Sequence, residues 1–244
     1  MCTVFYLKNS GLLSKNRDKE KAEVEEVVQT DEMIAVRTQG ASYYSLGINR
    51  HGCAFVSTAV NSPAWTAAIE SRRLQKASQI MAAETSGRVG PTSVLSELLP
   101  TVESVNEWLE AIDKSNFKWR GYNLIMVDPK IAVHVEAFDG QISLARMEER
   151  YICTNHFRSL NWGPKKPSEY QNSFDRFIYA QEKIPLIQNH DDLFGTIAPD
   201  EPKDRKRIWR NDSFQTISST VIDLNAKALH RCTSEERIFK RVSL

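Results

Sequence analysis

The spacing of apolar positions changes period several times along the chain, and the changes divide it into blocks. Residues 2–8 (CTVFYLK), 33–38 (MIAVRT), 43–48 (YYSLGI) and 53–58 (CAFVST) are short runs rich in β-branched and aromatic side chains, and they predict strands. The NRHG tetrad at 49–52 predicts a turn between two of them, with Gly52 free to take a positive φ. From Pro63 to Ala83 the apolar residues Trp65, Ala68, Ile69, Leu74, Ala77, Ile80 and Met81 recur at three- and four-residue steps. This predicts one amphipathic helix that ends before Gly87. Ser104 and Glu107 have capping-box spacing and open a second predicted helix at 104–114, with Val105, Trp108, Leu109 and Ile112 as its apolar face.

Strand-like runs return at 122–128 (YNLIMVD), 131–138 (IAVHVEAF), 141–148 (QISLARME) and 151–155 (YICTN), joined by DPK and DG turns into a meander. Ser168, following Pro167, is the predicted N-cap of a helix over 168–184 whose face turns through Tyr170, Phe174, Phe177, Ile178 and Ala180 or Gln181. The tail from 214 to 242 reads as further strands: FQTISSTVIDL, ALHRCT and RIFKRVSL. Antiparallel strand blocks bracketing helical blocks predict the α+β class, with helices on two sheets, in one domain over 1–244. The run DEPKDRKRIWR at 200–210 mixes both charge signs and predicts a solvated loop.

Composition then removes function classes. A chain of 244 residues with 41% hydrophobic residues can bury a core, and a formal charge of +1 gives no field to draw in a polyanion, so no nucleic-acid partner is expected. No apolar run reaches membrane-spanning length and the first 20 residues lack a secretory apolar stretch, so the expectation is a cytoplasmic protein with no membrane partner. Cys2, Cys53, Cys153 and Cys232 lack CxxC spacing and read as thiols. His51, His134, His190 and His230 show no ligand spacing with cysteines or carboxylates, and no phosphate-binding glycine pattern is present. Neither metal nor cofactor is expected.

Cys2 carries the candidate chemistry. Removal of Met1 makes it the first residue, whose α-amine (ordinarily titrating at ~7.7–8.0) can take the proton of its own thiol (~8.5). Such a residue is a nucleophile with a built-in base. It further needs a group to orient the amine, a cation near the thiolate and donors for an oxyanion.

Four stretches, in order, carry a resemblance. MCTVFYLKN…GLLSKNRDKE resembles the start of N-terminal nucleophile (Ntn) hydrolases of the choloylglycine hydrolase, penicillin V acylase and isopenicillin N acyltransferase-like group. There a cysteine after Met is followed by a hairpin and an R/K-N-x-D segment, here Lys15-Asn16-Arg17-Asp18. GINRHGCAFVSTAVN is similar to the group's strand pair that ends at an oxyanion region, which points to Asn61. YNLIMVDPKIAVHVE followed by YICTNHF resembles two core strands and a T-N segment whose asparagine faces the nucleophile, which points to Asn155. NSFDRFIYAQE is similar to a helix start whose arginine lies near the cysteine, which points to Arg176.

The resemblance implies a four-layer αββα sandwich of two antiparallel sheets flanked by helices, assembled as a homodimer or homotetramer. It implies a small-molecule N-acyl amide substrate, cleaved at a non-peptide C–N bond through an acyl-thioester on Cys2 and released to water or an acceptor amine. Asp18 would fix the amine, and Asn155, with Asn61 and a backbone amide, would hold the oxyanion. Dipeptidase activity and a non-catalytic binding role are the alternatives. Where the related acylases carry arginine in R-N-x-D this chain has Lys15, and Arg17 follows two residues on; either is a candidate cation for the thiolate. Asn61 reads equally as the cap of the helix after Pro63. His156 reads as structural, because the amine already supplies a base. Residues 19–32, 59–66 and 157–167 are the candidate pocket loops, with Trp65, Phe157 and Trp162 as candidate walls.

Overall fold

Strands covered on both faces cannot show the alternation of a half-exposed sheet, and their sequences become unbroken apolar runs. YNLIMV is such a run: Leu124 and Met126 enter one core cluster, and Ile125 and Val127 another on the opposite face. The computed structural model describes residues 2–19, 23–198, 208–209 and 215–244. Met1 and most of the run 200–210 lie outside the described residues. Ile208 and Trp209, at the end of that run, are buried rather than solvated, and Ile208 joins a core cluster.

The first sheet contains β1 (Cys2–Leu7), β2 (Leu12–Lys19), β10 (Arg150–Cys153), β11 (Gln215–Asp223), β12 (Ala228–Thr233) and β13 (Lys240–Ser243), in the order β10-β1-β2-β11-β12-β13. The second runs in chain order through β3 (Glu25–Gln29), β4 (Met33–Thr38), β5 (Leu46–Asn49), β6 (Ala54–Ala59), β7 (Tyr122–Val127), β8 (Ala132–Phe138) and β9 (Gln141–Arg146). Neighbours in both sheets are antiparallel.

Three apolar clusters make the layers. Val4, Tyr6, Leu13 and Ile222 of the first sheet meet Ile34, Ile48, Val56 and Ile125 of the second. The outer face of the second sheet packs on α3 (Thr92–Leu98) and α4 (Val105–Lys114) through Leu95, Trp108 and Ile112, and Trp108 lies edge-on to Phe55 at 5.8 Å. The outer face of the first packs on α5 (Gln171–Lys183) and α6 (His190–Ile197) through Ala180, Leu193 and Ile197. The result is an αββα sandwich.

Register decides which polar residues meet. Cys2 is opposite Arg17, Val4 opposite Lys15, and Thr216 opposite Asp18. Because side chains alternate, Cys2, Lys15 and Arg17 share the face that Val4 and Leu13 turn toward the second sheet. Thr3, Asn16 and Asp18 share the helix-facing side with Phe5 and Leu12.

Several expectations are corrected. The predicted helix over 63–83 is two helices, α1 (Pro63–Glu70) and α2 (Leu74–Thr85), separated at Arg72, whose φ is +56°. The apolar period continues across the break because α2 folds back, setting Ala77, Ile80 and Met81 against Trp65, Ala68 and Ile69. Ser168 does not cap α5; it lies in a short 3-10 turn (Pro167–Glu169) before the helix. The inward face of α5 includes Ala180 as expected and adds Ser173 and Arg176, whereas Ile178 is exposed. The strand predicted at 43–48 begins only at Leu46. β3 falls in a stretch read as loop, and α3 and α6 are too short to establish a period, with Gly195 inside the latter.

Gly121 positions the segment after β6. Its backbone carbonyl accepts the Val60 N–H at 2.8 Å. A Cβ at Gly121 would stand 2.1 Å from Trp162 Cζ3 and 2.5 Å from the Val60 carbonyl oxygen. Gly121→Ala should therefore destabilise the fold by about 1–3 kcal/mol through overpacking. A urea melt checks this, and an unchanged midpoint contradicts the packing described.

Candidate active site

The backbone nitrogen of Cys2 donates to Asn155 Oδ1 at 2.6 Å. Arg176 Nη2 donates to the same oxygen at 3.2 Å, and Asn155 Nδ2 donates to the Ala59 carbonyl at 2.7 Å. Two donors at one end of the amide and an acceptor at the other fix its orientation, since the flipped amide would oppose like groups at both ends.

Arg176 joins the parts. Fully buried, its guanidinium donates through Nη1 to Asp18 Oδ2 and to Thr3 Oγ1, both at 3.1 Å, and through Nε to Asn172 Oδ1 at 3.1 Å. Asp18, equally buried, also accepts from Thr216 Oγ1 at 2.7 Å. Removing one member of such a pair strands a charge away from water and typically costs about 3–5 kcal/mol.

Lys15 is buried on the same face as Cys2, and its Nζ reaches the Ser45 carbonyl at 3.3 Å. Burial lowers its pKa to about 8; Arg17 and Lys19 push the same way, and Cys2 and Glu25 oppose them. Arg17 is differently employed: Nη1 pairs with Glu25 Oε1 at 2.9 Å and Nη2 donates to Thr38 Oγ1 at 2.5 Å. Of the two candidate cations, Lys15 is the one without a carboxylate partner among the described residues.

Cys2, Lys15, Arg17, Asp18, Asn61 and Asn155 all line one cavity of about 550 Å³. Its apolar wall comes from α1 and α2, through Trp65, Ile69, Leu74, Ala77 and Met81, and Lys19, Glu23 and Arg120 add charge. Arg176 lies behind the lining. The cap expected of Asn61 belongs to Ser62, whose side chain accepts the Trp65 N–H at 3.1 Å. The Asn61 side chain has no hydrogen-bond partner among the described residues. Of the expected aromatic walls only Trp65 lines the cavity. Phe157 is core, and Trp162 stacks on Phe138 at 4.1 Å. The other three thiols are pushed up by burial, Cys53 and Cys153 to about 12 and Cys232 to about 11, and none of them lines this cavity.

Two supporting residues escaped the sequence reading. Asn123 on β7 donates from Nδ2 to the Thr154 and His156 carbonyls, at 2.9 and 3.1 Å, and so clamps both sides of Asn155. Its Oδ1 must then accept from His134 Nε2, 2.9 Å away, which leaves His134 Nδ1 to accept from the Tyr151 hydroxyl at 2.7 Å. His134 is thus held as one neutral tautomer. Glu136 on β8 accepts the backbone N–H groups of Arg158, Ser159 and Leu160 and shapes the following loop. A polar side chain on a strand pattern was the only signal for either. His156 stacks on Phe174 at 4.1 Å and its Nδ1 lies 3.1 Å from Ser173 Oγ, in keeping with a structural role.

Burial lowers His134 to about 3 and His156 to about 4, below the ordinary histidine value of ~6.5. As pH drops through ~6.5 the unfolded chain therefore comes to bind up to two more protons than the folded one, and stability falls with pH until the folded values are reached. Near pH 5, between the folded and unfolded values, each histidine should cost about 1.4 kcal/mol per pH unit. His134→Gln should reduce the slope of unfolding free energy against pH by that amount in urea titrations; an unchanged slope contradicts the neutral tautomer.

No curated protein matches the chain by sequence. Among solved structures, it superposes on the Caenorhabditis elegans ortholog of N-acylethanolamine-hydrolyzing acid amidase with TM-score 0.61 and 11% identity, covering 100% of both chains. A mutant of the conjugated bile acid hydrolase from Clostridium perfringens gives TM-score 0.59 and 10% identity, covering 100% of this chain and 92% of that one. Penicillin V acylase from Agrobacterium tumefaciens gives 0.55 and 14%, covering 100% and 86%. At these identities the likeness shows the fold, that of the Ntn hydrolases. Residues 8–237 match the acyl-coenzyme A:6-aminopenicillanic acid acyl-transferase family, and with a match over nearly the whole chain the protein belongs to that family.

Proposed function

We propose that the protein is an N-terminal cysteine amidohydrolase that cleaves the amide bond of a small N-acyl compound and passes the acyl group to water or an acceptor amine. The observation that carries this reading is the 2.6 Å hydrogen bond from the Cys2 nitrogen to Asn155 Oδ1, at a cavity that also takes in buried Lys15. The names of the structural neighbours, an acid amidase, a bile acid hydrolase and a penicillin acylase, and the acyl-transferase family support the same chemistry.

Removal of Met1 turns the Cys2 nitrogen into an amine with a lone pair. The amine takes the thiol proton and the thiolate attacks the substrate carbonyl carbon, with the Lys15 ammonium stabilising the negative charge. Asn155 orients the amine, and Asp18 acts on it indirectly, through Arg176 and Asn155. Asn155 Nδ2 gives one of its two hydrogens to the Ala59 carbonyl, which leaves the other for the oxyanion role expected of this residue. Asn61, which lines the same cavity, is a second donor for the tetrahedral oxyanion. The protonated amine then gives its proton to the leaving nitrogen as the C–N bond breaks, leaving an acyl-thioester on Cys2. Water or an acceptor amine attacks that thioester and restores the thiol. The apolar wall of α1 and α2 suits the acyl group, and the charged residues Lys19, Glu23 and Arg120 suit a polar leaving group.

Intact-protein mass spectrometry after incubation with a panel of N-acyl amides should find Met1 missing and a hydrolysable acyl adduct on Cys2, absent from Cys2→Ala. Retained Met1 in active protein would falsify the mechanism. The Lys15 value gives a second test. Because the ammonium loses its proton above pH about 8, kcat/KM should fall there. Lys15→Arg keeps its charge and should carry the plateau to higher pH; an identical alkaline limb in the variant removes Lys15 from the mechanism.

A further inference from the structure

His190, Asp223 and His230 are far apart in sequence, yet the fold brings one ligand atom of each within 4.8 Å of the others. His190 opens α6, Asp223 ends β11 and His230 lies on the adjacent strand β12. The expectation of no metal rested on sequence spacing, and spacing cannot register three elements that meet only when α6 packs on the β11–β12 hairpin. We infer that these three side chains form a binding site for one divalent transition-metal ion of the zinc type, separate from the Cys2 cavity. Asp223 lies seven positions along β11 from Thr216, the partner of Asp18, a run of roughly 20 Å.

The donor set suits such an ion. Two imidazole nitrogens and one carboxylate oxygen, with a fourth position for solvent, is a recurring zinc arrangement. His190 Nε2 already stands 3.0 Å from Asp223 Oδ2. Ligand atoms ~2.0–2.2 Å from a tetrahedral ion lie roughly 3.3 Å apart, so closure asks only for side-chain rotation at the widest pair. The carboxylate is aimed, because Asp223 Oδ1 accepts the Ala226 N–H at 2.9 Å and Asp223 itself is buried. An apolar wall stands beside the imidazoles: Phe194 lies 5.4 Å from His230 and 6.0 Å from His190, and stacks on Phe239 at 4.3 Å.

An ordinary ion pair needs only His190 and Asp223. It leaves His230 without a task, and no hydrogen bond to its ring exists among the described residues. A bound ion uses all three and ties the first turn of α6 to the sheet.

The test uses untagged full-length protein carrying Cys2→Ala, so that the terminal amine and thiol cannot chelate. Titration with Zn²⁺ by calorimetry should show one saturable equivalent, and Co²⁺ should give the visible bands of a four-coordinate ion. Zinc should raise the melting temperature. His230→Ala keeps both the His190–Asp223 contact and the Ala226 turn, so its zinc-free melt should match the parent. Its zinc affinity should fall by more than the roughly 10–100-fold that loss of an outer hydrogen-bond partner costs. Asp223→Asn should lose affinity similarly. Absence of saturable uptake, or uptake undiminished in His230→Ala, overturns the proposal.

Discussion

The buried contact between Arg176 and Asp18 is the constraint around which the site is arranged. Two charges without solvent exposure are costly unless their donors and lone pairs find partners, and here each guanidinium nitrogen and each carboxylate oxygen finds one by drawing in Thr3, Asn155, Asn172 and Thr216. Those residues come from β1, the turn after β10, α5 and β11. A hydrophobic pair of the same volume would hold the layers together at least as well. What it would lack is direction: the guanidinium fork sets Asn155 at one angle, and that angle presents a carbonyl oxygen to the Cys2 nitrogen.

The cationic residues of β2 show burial and chemistry dividing labour. Arg17 and Lys15 are two positions apart on one face, yet Arg17 is matched to Glu25 while Lys15 has, among the described residues, only a carbonyl oxygen. A guanidinium keeps its charge whatever its surroundings; an amine in the same place loses affinity for its proton. Lysine at position 15 therefore brings a titrating group where an arginine would carry a permanent charge.

Much of this was readable in the sequence, for reasons that differ by element. β4, β12 and the α4 capping box were legible because each rule involved is local, and the α4 cap is present as read, with Ser104 accepting from Glu107. Cys2, Lys15, Asp18, Asn61 and Asn155 were nominated together, and the fold does bring them to one cavity. What the sequence hid was direction. A string of letters does not show which end of the Asn155 amide meets Cys2, nor that Asn123 and His134 stand behind it, because those facts depend on how two sheets register against each other. β2 was hard to see as a strand because the polar residues that serve the site, Lys15 to Asp18, replace the apolar run that would have marked it. The break at Arg72 was invisible because both halves keep the same apolar face.

The hydrogen bonds from Asn155 to Ala59, Thr58 to Thr154, Asn123 to Thr154 and Lys15 to Ser45 all run from one sheet to the other at the site end of the sandwich. Cys2 belongs to one layer and Asn61 to the other, so under the proposed mechanism the thickness of the apolar filling between them sets the gap that a substrate carbonyl would occupy. Side chains such as Leu13, Ile34 and Ile125 touch no reactant, yet their bulk acts as a spacer. The proposed chemistry would thus be tunable from the middle of the protein, by changing the size of residues whose own chemistry is inert.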